Sequence, residues 1–371
     1  MCETFFEAAV EELDVPGYEK VLRITEESTG LLAIICIHDT TLGPALGGTR
    51  IRAYPSFEAA LTDVKRLAKG MSYKSAMAET GLGGGKSVII LDPRDKTPEL
   101  LTAFAEAVNS LGGLYTCAED MGCTLDDVTL IGKTTPYVTG LKHAKSSGNP
   151  SPFTAWGTFR GIQSVLYKLF GTTDLTGRTV AIQGLGSVGE ILAETLFWHG
   201  AHLILSDLDW EKTMALAKKF HAEACPVEDI MTVRCDVLSP CAMGGILNSE
   251  TIPQLNCSAV AGCANNQLLT DADAELLFAR GILYAPDFVI NAGGLINVTS
   301  EIDRDGYNPR TTRDKTDRLY DQLLAIYTAA EEKGISTHRA AVEMAEHKIR
   351  HHIGKRHTPV YYHHAESDLA P

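Results

Sequence analysis

At 371 residues, with 44% hydrophobic and 22% charged residues, the chain has a globular composition and is too long for one ordinary core, so two domains are expected. A formal net charge of −14 argues against a nucleic-acid partner and against an anionic membrane surface, since both require basic surface. Apolar runs such as 31–37 and 88–91 are far too short to span a bilayer.

Leu31 to His38 reads as a buried strand. Phe57, Ala60, Leu61, Val64, Leu67, Ala68 and Met71 recur at helical spacing, with Ser56 as N-cap and an expected stop near Gly70. The glycine run 81–85 is expected to leave room for a ligand beside the backbone, ahead of a strand from Ser87 to Leu91. A helix from Pro98 to Leu111 follows, then a short β-like stretch ending in a turn at Asp120. The turn-rich Lys145 to Pro152 marks a boundary, giving expected domains 1–148 and 149–335, with a C-terminal helix and tail at 336–371. Beyond it come a helix from Thr154 to Leu169 and strands at Thr179–Gln183, Leu203–Ser206, Ala259–Ala261 and Phe288–Ile290. Their alternation with helices implies an α/β fold with a mainly parallel, doubly wound sheet. Asp317 to Lys333 and Thr337 to Ile349 read as closing helices.

The stretch Thr179-Val-Ala-Ile-Gln-Gly184-Leu-Gly186-Ser187-Val188-Gly189 is a Gly-x-Gly-x-x-Gly between an apolar strand and an amphipathic helix. Gly184 would allow the tight turn, Gly186 close backbone approach to a pyrophosphate, and Gly189 close helix–strand packing. The glycines alone are a weak signal. The next strand ends in Asp207 at the spacing expected for an acid that binds a ribose, and a carboxylate there favours NAD over NADP. The bland alternative is a structural glycine turn with Asp207 capping the next element.

Lys74, followed by Ser75-Ala76, and Lys86, between Gly85 and Ser87, have little side-chain bulk around them. A lone lysine is ordinarily a solvated charge. Gly85-Lys86-Ser87 also resembles the end of a phosphate-binding loop. That motif requires a glycine where Thr80 stands and a helix where Val88-Ile-Ile-Leu reads as strand, so triphosphate hydrolysis is rejected.

Gly43-Pro-Ala-Leu-Gly-Gly-Thr-Arg50, Met71-Ser-Tyr-Lys74, Gly83-Gly-Gly-Lys86, Ala118-Glu-Asp120, Gly184 to Gly189, Ala264-Asn-Asn266-Gln and Asn291-Ala-Gly-Gly-Leu-Ile-Asn-Val298 occur in one order. Together the chain resembles the glutamate/leucine/phenylalanine/valine dehydrogenase superfamily, from about residue 30 to residue 300, with a length that suits its leucine-specific branch. The resemblance implies an N-terminal domain that binds an amino acid, a second domain that binds NAD, and an active site in a cleft between them. It assigns Lys74 to the substrate α-carboxylate, Lys86 to activating water and Asp120 to shuttling protons at the substrate nitrogen. Gly47 and Gly48 would line the pocket. Asn266 would lie near the nicotinamide and the amino group, and Thr154 near the nicotinamide carboxamide. Ser187, Val188 and Asn291 join the cofactor site. The reaction so implied is oxidative deamination to a 2-oxo acid and ammonia. It needs no metal, because the cofactor carries the hydride.

Glutamate enzymes of this superfamily carry a lysine where this chain has Leu46 and a serine where it has Val298. With both apolar, a glutamate γ-carboxylate would be buried unpaired. Leu46, Met71, Ala118, Leu295 and Val298 are therefore expected to form an apolar side-chain pocket for leucine, with valine and isoleucine as further substrates. Leu295 stands where leucine-specific members commonly carry valine, which keeps an aromatic substrate, phenylalanine or tryptophan, as the alternative. A non-catalytic sensor is a third reading, weakened by the presence of every proposed catalytic group.

The N-terminus lacks a basic segment followed by an apolar one, and the nine cysteines include no Cys-x-x-Cys pair. Reduced thiols in the cytoplasm are the expectation. His347, His351, His352, His357, His363 and His364 crowd the C-terminal tail but match no compact ligand spacing, so a surface role is favoured over metal binding. The resemblance adds a homo-oligomer, dimer or octamer.

Overall fold

A computed structural model describes residues 8–143 and 145–363; His364 lies outside them. The chain divides into two compact units. The first comprises 1–148, 298–309 and 347–371, and the second 149–297 and 310–346. The first break falls between Gly148 and Asn149, and the later ones fall inside helix Gly293–Thr299, next to Pro309 and inside helix Thr337–Arg350. The tail joins the first unit from His347, later than the 336 expected from sequence.

The first unit contains β1 (Ala9–Glu12), β2 (Lys20–Glu26), β3 (Leu31–Asp39), β4 (Ala45–Arg52), α1 (Phe57–Met77), β5 (Gly83–Ile90), α2 (Pro98–Ser110), β6 (Tyr115–Ala118) and α3 (Leu125–Ile131). Its sheet has the order β1-β2-β3-β5-β4-β6. The first three pairings are antiparallel, and β4 runs parallel to both β5 and β6. Alternation along the strands divides the core in two. Val21, Ile34, Cys36 and Val88 meet Ala60, Val64 and Ala68 of α1. Ile35, Ala45, Ile89, Tyr115 and Cys117 pack with Leu100, Phe104 and Val108 of α2.

Ser56 caps α1 as expected, accepting from the Ala59 N–H. The helix does not stop near Gly70 but continues through it to Met77. A helical glycine costs about 1 kcal/mol relative to alanine. Burial of Ser72, Tyr73, Ser75, Ala76 and Met77 beyond it outweighs that cost and places Met71 and Lys74 on the helix. The glycine run also differs from expectation. Gly83, Gly84 and Gly85 are strand residues of β5, and added Cβ atoms would meet the Asp39 carbonyl, the Ser72 backbone and the Tyr115 ring respectively. These glycines admit neighbouring protein, not a ligand.

Residues from the later segments complete this unit. The buried Glu301 carboxylate accepts from Thr139 Oγ1 (3.1 Å), Gly140 N (3.0 Å), Ser147 N (2.7 Å) and Ser147 Oγ (2.6 Å). Arg356 N donates to the Leu42 carbonyl at 2.8 Å, and Tyr362 OH lies 2.7 Å from Thr116 Oγ1.

The second unit contains α4 (Ser151–Phe170), β7 (Thr179–Gln183), α5 (Ser187–Trp198), β8 (His202–Ser206), α6 (Trp210–Phe220), β9 (Glu223–Ala224), β10 (Cys235–Pro240), β11 (Cys257–Val260) and β12 (Leu283–Tyr284). Every pairing is parallel, in the order β12-β11-β10-β7-β8-β9. Counted within the unit this is 3-2-1-4-5-6, the doubly wound Rossmann arrangement, with its switch point between β7 and β10. The expected strand at Phe288–Ile290 is instead a helical turn, Asp287–Ile290, entered from Pro286, and the strand lies earlier as β12. Among the described residues no helix is long and apolar enough to cross a membrane, and no group of three or more His, Cys, Asp or Glu is placed to hold a metal ion.

Two glycines of the first unit respond oppositely to a methyl group. Gly70→Ala meets open space on a helix and is expected to raise stability by up to about 1 kcal/mol in urea unfolding. Gly84→Ala drives a Cβ into Ser72 and is expected to cost about 1–3 kcal/mol or more. Equal midpoints for the two variants would contradict this packing of α1 on β5.

Candidate active site

In the first unit, β4 lies between β5 and β6, and adjacent strands are about 4.8 Å apart. Lys86 on β5 and Asp120 just past β6 are therefore two strand spacings apart, yet Lys86 Nζ donates to Asp120 Oδ2 in an ion pair. The intervening strand carries Gly48 at this level, where a Cβ would lie 2.9 Å from Asp120 Cβ and 3.2 Å from its Oδ2. The nearest atom to such a Cβ is the Glu119 carbonyl oxygen at 2.5 Å, so the missing side chain at Gly48 lets the segment after β6 fold over β4 and set the Asp120 carboxylate within reach of Lys86. Gly47 acts differently, because a Cβ there would strike the Gly85 carbonyl; it permits close approach of β4 and β5.

Asp120 is held by more than Lys86. Arg50 Nε lies 3.3 Å from its Oδ1, and the Met121 N–H donates to the same oxygen at 2.5 Å. Arg50 also donates to Asp63 of α1 at 3.0 Å, and Tyr54 OH donates to Asp63 at 2.6 Å. Burial pushes the Asp120 carboxyl upward. The Lys86 ammonium and then the Arg50 guanidinium outweigh it and hold the group below the usual carboxylate range. Lys86 itself is only 5% exposed. Charges buried this deeply give little net stability, so the cluster reads as a functional site.

The face that carries Lys86 is covered by α1. Leu46, Gly48 and Arg50 alternate onto it from β4, Lys86 and Val88 from β5, and Ala118 from β6; Met71 and Lys74 belong to the last two turns of the covering helix. Leu46 is buried; Met71, Lys74 and Ala118 are half-buried. On the opposite face Tyr115 OH donates to the Gly47 carbonyl at 2.7 Å and lies 3.1 Å from Ser87 Oγ, which donates to Thr49 Oγ1 at 2.9 Å. These hydroxyls tie the three strands together beneath the charged pair. Sequence reasoning assigned no role to Arg50, Asp63 or Tyr115. Arg50 ends a quoted motif and was within reach. Asp63 looks like any polar residue on a helix.

In the second unit the three glycines of the loop differ in their surroundings. Gly184 has φ +98° and would clash with Ala242 if given a Cβ, at 2.6 Å. Gly189 would strike the Gly184 carbonyl. Gly186 faces open space, caps α5 without a side-chain hydrogen bond and leaves the first amides of that helix available to an anion. Ser187 and Val188 are the first two residues of α5. Asp207, at the end of β8, accepts from Leu185 N at 2.6 Å and Asp209 N at 2.9 Å, which fixes the carboxylate beside the loop with lone pairs to spare. Lys212 pairs with Glu190 at 2.9 Å.

Asn266 holds φ +51°, a left-handed conformation uncommon away from glycine and frequent at functional positions. Asn291 is buried, and its Nδ2 donates to the Cys263 carbonyl (3.1 Å) and to Asn265 Oδ1 (2.7 Å). Its Oδ1 is buried without a donor. A Cβ at Gly294 would meet Thr154 Oγ1, so Thr154 and the segment after Asn291 adjoin. Leu295 and Val298 are three apart on helix Gly293–Thr299 and share a face. A glycine open to space and an orphaned buried amide oxygen are features that a nicotinamide dinucleotide fits.

Residues 19–137 match the family model described as Glu/Leu/Phe/Val dehydrogenase, dimerisation domain, and 205–355 match Glutamate/Leucine/Phenylalanine/Valine dehydrogenase. The chain is 46% identical over 339 residues to a leucine dehydrogenase of Geobacillus stearothermophilus, covering 91% of this chain and 92% of the relative. It is 47% identical over 340 residues to a phenylalanine dehydrogenase of Bacillus thermotolerans, covering 90% and 88%. The crystal structure of L-tryptophan dehydrogenase from Nostoc punctiforme matches with a TM-score of 0.81 at 44% identity, over 91% of this chain and 96% of that one.

The Asp120 cluster has a pH signature. Its folded pKa is depressed, so the ionised carboxylate contributes stability that is present above the unfolded value of about 3.9 and is lost as pH falls through the folded one. Wild type should be more stable than Asp120→Asn at pH 7, with the difference shrinking below about pH 4. Urea melts across pH test this, and a gap that is independent of pH would refute it.

Proposed function

The chain belongs to the Glu/Leu/Phe/Val dehydrogenase family, and on that premise we propose that it catalyses reversible, NAD-dependent oxidative deamination of an apolar L-amino acid, leucine foremost with valine and isoleucine beside it, to the 2-oxo acid and ammonia. The observation that carries this reading is the Lys86–Asp120 pair meeting over β4 at Gly48, on the face covered by α1, the helix that carries Lys74.

Lys74 receives the substrate α-carboxylate, a charge-assisted contact that orients the α-carbon. NAD, when bound, accepts the hydride from that carbon. Lys86 first hands its proton to Asp120; as the neutral amine it then takes a proton from the water that attacks the resulting iminium carbon, while Asp120 carries protons to and from the substrate nitrogen. The depressed Asp120 carboxyl starts ionised, ready to accept. Gly184, Gly186, Ser187, Val188 and Gly189 would hold the pyrophosphate, and Asp207 the adenosine ribose. Thr154, Asn266 and Asn291 would hold the nicotinamide, with the orphaned Asn291 oxygen taking a carboxamide N–H.

Leu46, Met71, Ala118, Leu295 and Val298 shape the side-chain pocket. Leu295 and the phenylalanine- and tryptophan-specific relatives favour an aromatic substrate as the second reading. A one-methylene difference in such a pocket shifts preference by only ~1–3 kcal/mol. The enzyme is read as a cytoplasmic homo-oligomer, dimer or octamer. The match of 19–137 to a dimerisation domain and the free thiols of the eight described cysteines support this.

Three measurements follow from these roles. Lys86→Ala should lower kcat by about 10²–10⁴-fold while NAD still binds, and Lys74→Ala should raise KM for the amino acid as well as lower the rate. Near-normal turnover of Lys86→Ala would remove the base. Asp207→Ser should weaken NAD and shift preference towards NADP, whereas a wild type that prefers NADP would overturn the ribose assignment. Wild type should turn over leucine and reject glutamate, and Leu46→Lys with Val298→Ser should reduce the first and recover part of the second. Comparable kcat/KM for glutamate and leucine in the unmodified enzyme would show that Leu46 and Val298 do not line the pocket.

A further inference from the structure

The strands of the second unit bind the dinucleotide, on the reading above, at their C-terminal ends. Their N-terminal ends carry an unrelated cluster. A cavity of about 480 Å³ is lined there by Thr179, Arg234, Cys235, Asp236, Cys257 and Arg280 among others. Cys235 is the first residue of β10 and Cys257 the first of β11, and the two are register partners in a parallel pair. Register partners on adjacent strands point to the same face, with α-carbons about 4.8 Å apart, inside the 4.4–6.8 Å that a disulfide spans.

The cysteines differ in a useful way. Cys235 is buried in the core formed with Leu238, Ile252 and Leu255, whereas Cys257 is half-buried at the cavity. Arg280 donates to the carbonyls of Ile252 and Leu255 (3.0 Å to the latter), which fixes its guanidinium in the cavity wall. The neighbouring Cys235 lowers the Cys257 thiol, burial opposes that, and the Leu238 backbone and then the Arg280 guanidinium lower it further; Cys257 in turn raises Cys235. This is the electropositive, partly open setting in which a thiol reacts as thiolate. None of these groups has a part in the deamination chemistry.

We propose that Cys257 and Cys235 form a peroxide-oxidisable dithiol, with Cys257 as the attacking thiol and Cys235 as the resolving one. The Cys257 thiolate attacks one oxygen of hydrogen peroxide. The O–O bond breaks, an S–O bond forms, and the departing hydroxide takes up a proton, leaving a sulfenic acid and water. Cys235 sulfur then attacks Cys257 Sγ. The S–O bond breaks, and hydroxide leaves as water with the Cys235 proton. Two thiols and one peroxide give one disulfide and two waters, with two electrons passing from sulfur to peroxide. A small dithiol restores both cysteines and is itself oxidised to a disulfide.

The test uses the full chain, exposed to hydrogen peroxide at neutral pH, alkylated, and mapped by mass spectrometry without reduction. The expected product is a peptide pair joined through Cys235 and Cys257, lighter by two hydrogens and separated by dithiothreitol. In Cys235→Ser, a dimedone adduct should accumulate at Cys257; in Cys257→Ser, neither adduct nor crosslink should form. Cys241 and Cys263, a second neighbouring pair, are the internal comparison. Cys257 that stays fully alkylatable after peroxide, a crosslink at Cys241–Cys263 instead, or a dimedone adduct on Cys235 in place of Cys257 would each overturn the proposal. The wild-type map decides the first two even if a variant fails to fold.

Discussion

The Asp120 carboxylate comes within reach of a lysine two strands away because it lies over the strand between at a residue that carries no side chain. That condition, met at Gly48, organises the first unit. It requires β4 to lie in the middle with β5 and β6 both parallel to it, so that Lys86 and Asp120 arrive on one face from opposite sides. Once two charges are brought so far out of water, further partners are needed, and Arg50 supplies a second cation that is itself anchored to Asp63 of α1. The hydroxyl ties of Tyr115, Ser87 and Thr49 then act from beneath, keeping the three strands at the spacing the crossing needs.

The glycines of the two units show how one residue type serves opposite ends. Gly48, Gly84, Gly184 and Gly189 are all spaces already filled by protein atoms, and each permits a contact that alanine would forbid. Gly186 alone among the motif glycines of the dinucleotide loop faces open space. A glycine motif therefore marks a ligand only at the member whose missing side chain nothing else occupies. The run 83–85 looks as permissive in sequence as 184–189 but serves close packing of a strand against a helix, a neighbouring loop and a tyrosine ring.

The glycine loop of the second unit was legible because all its parts are local. A strand, three glycines, a helix and an acid at the end of the next strand fall within thirty residues, and each has a conformational reason for its place. The two lysines and Asp120, proposed here as the catalytic groups, were reached through ordered motifs resembling a known family, since nothing in the spacing of residues 86 and 120 says that they touch. Arg50 stayed hidden because its significance lies in a contact with Asp120 across seventy residues of chain, and Asp63 because it matters only through Arg50, both being residue types unremarkable on a strand and a helix. The passage of α1 through Gly70 shows burial overriding local propensity, and Asp287–Ile290 shows a short apolar run whose period cannot distinguish strand from helix.

The return of residues 298–309 and 347–363 to the first unit has a consequence for synthesis. The Glu301 carboxylate that gathers Thr139, Gly140 and Ser147, and the tail residues that meet Leu42 and Thr116, leave the ribosome long after the sheet they complete. At roughly 5–20 residues per second, the interval between residues 148 and 347 is on the order of ten to forty seconds. For that time the nascent first unit holds its strands without its last buried anchors. A fragment ending at the first boundary would remain permanently in this state, so the N-terminal unit is a domain of the finished chain and not of its first 148 residues.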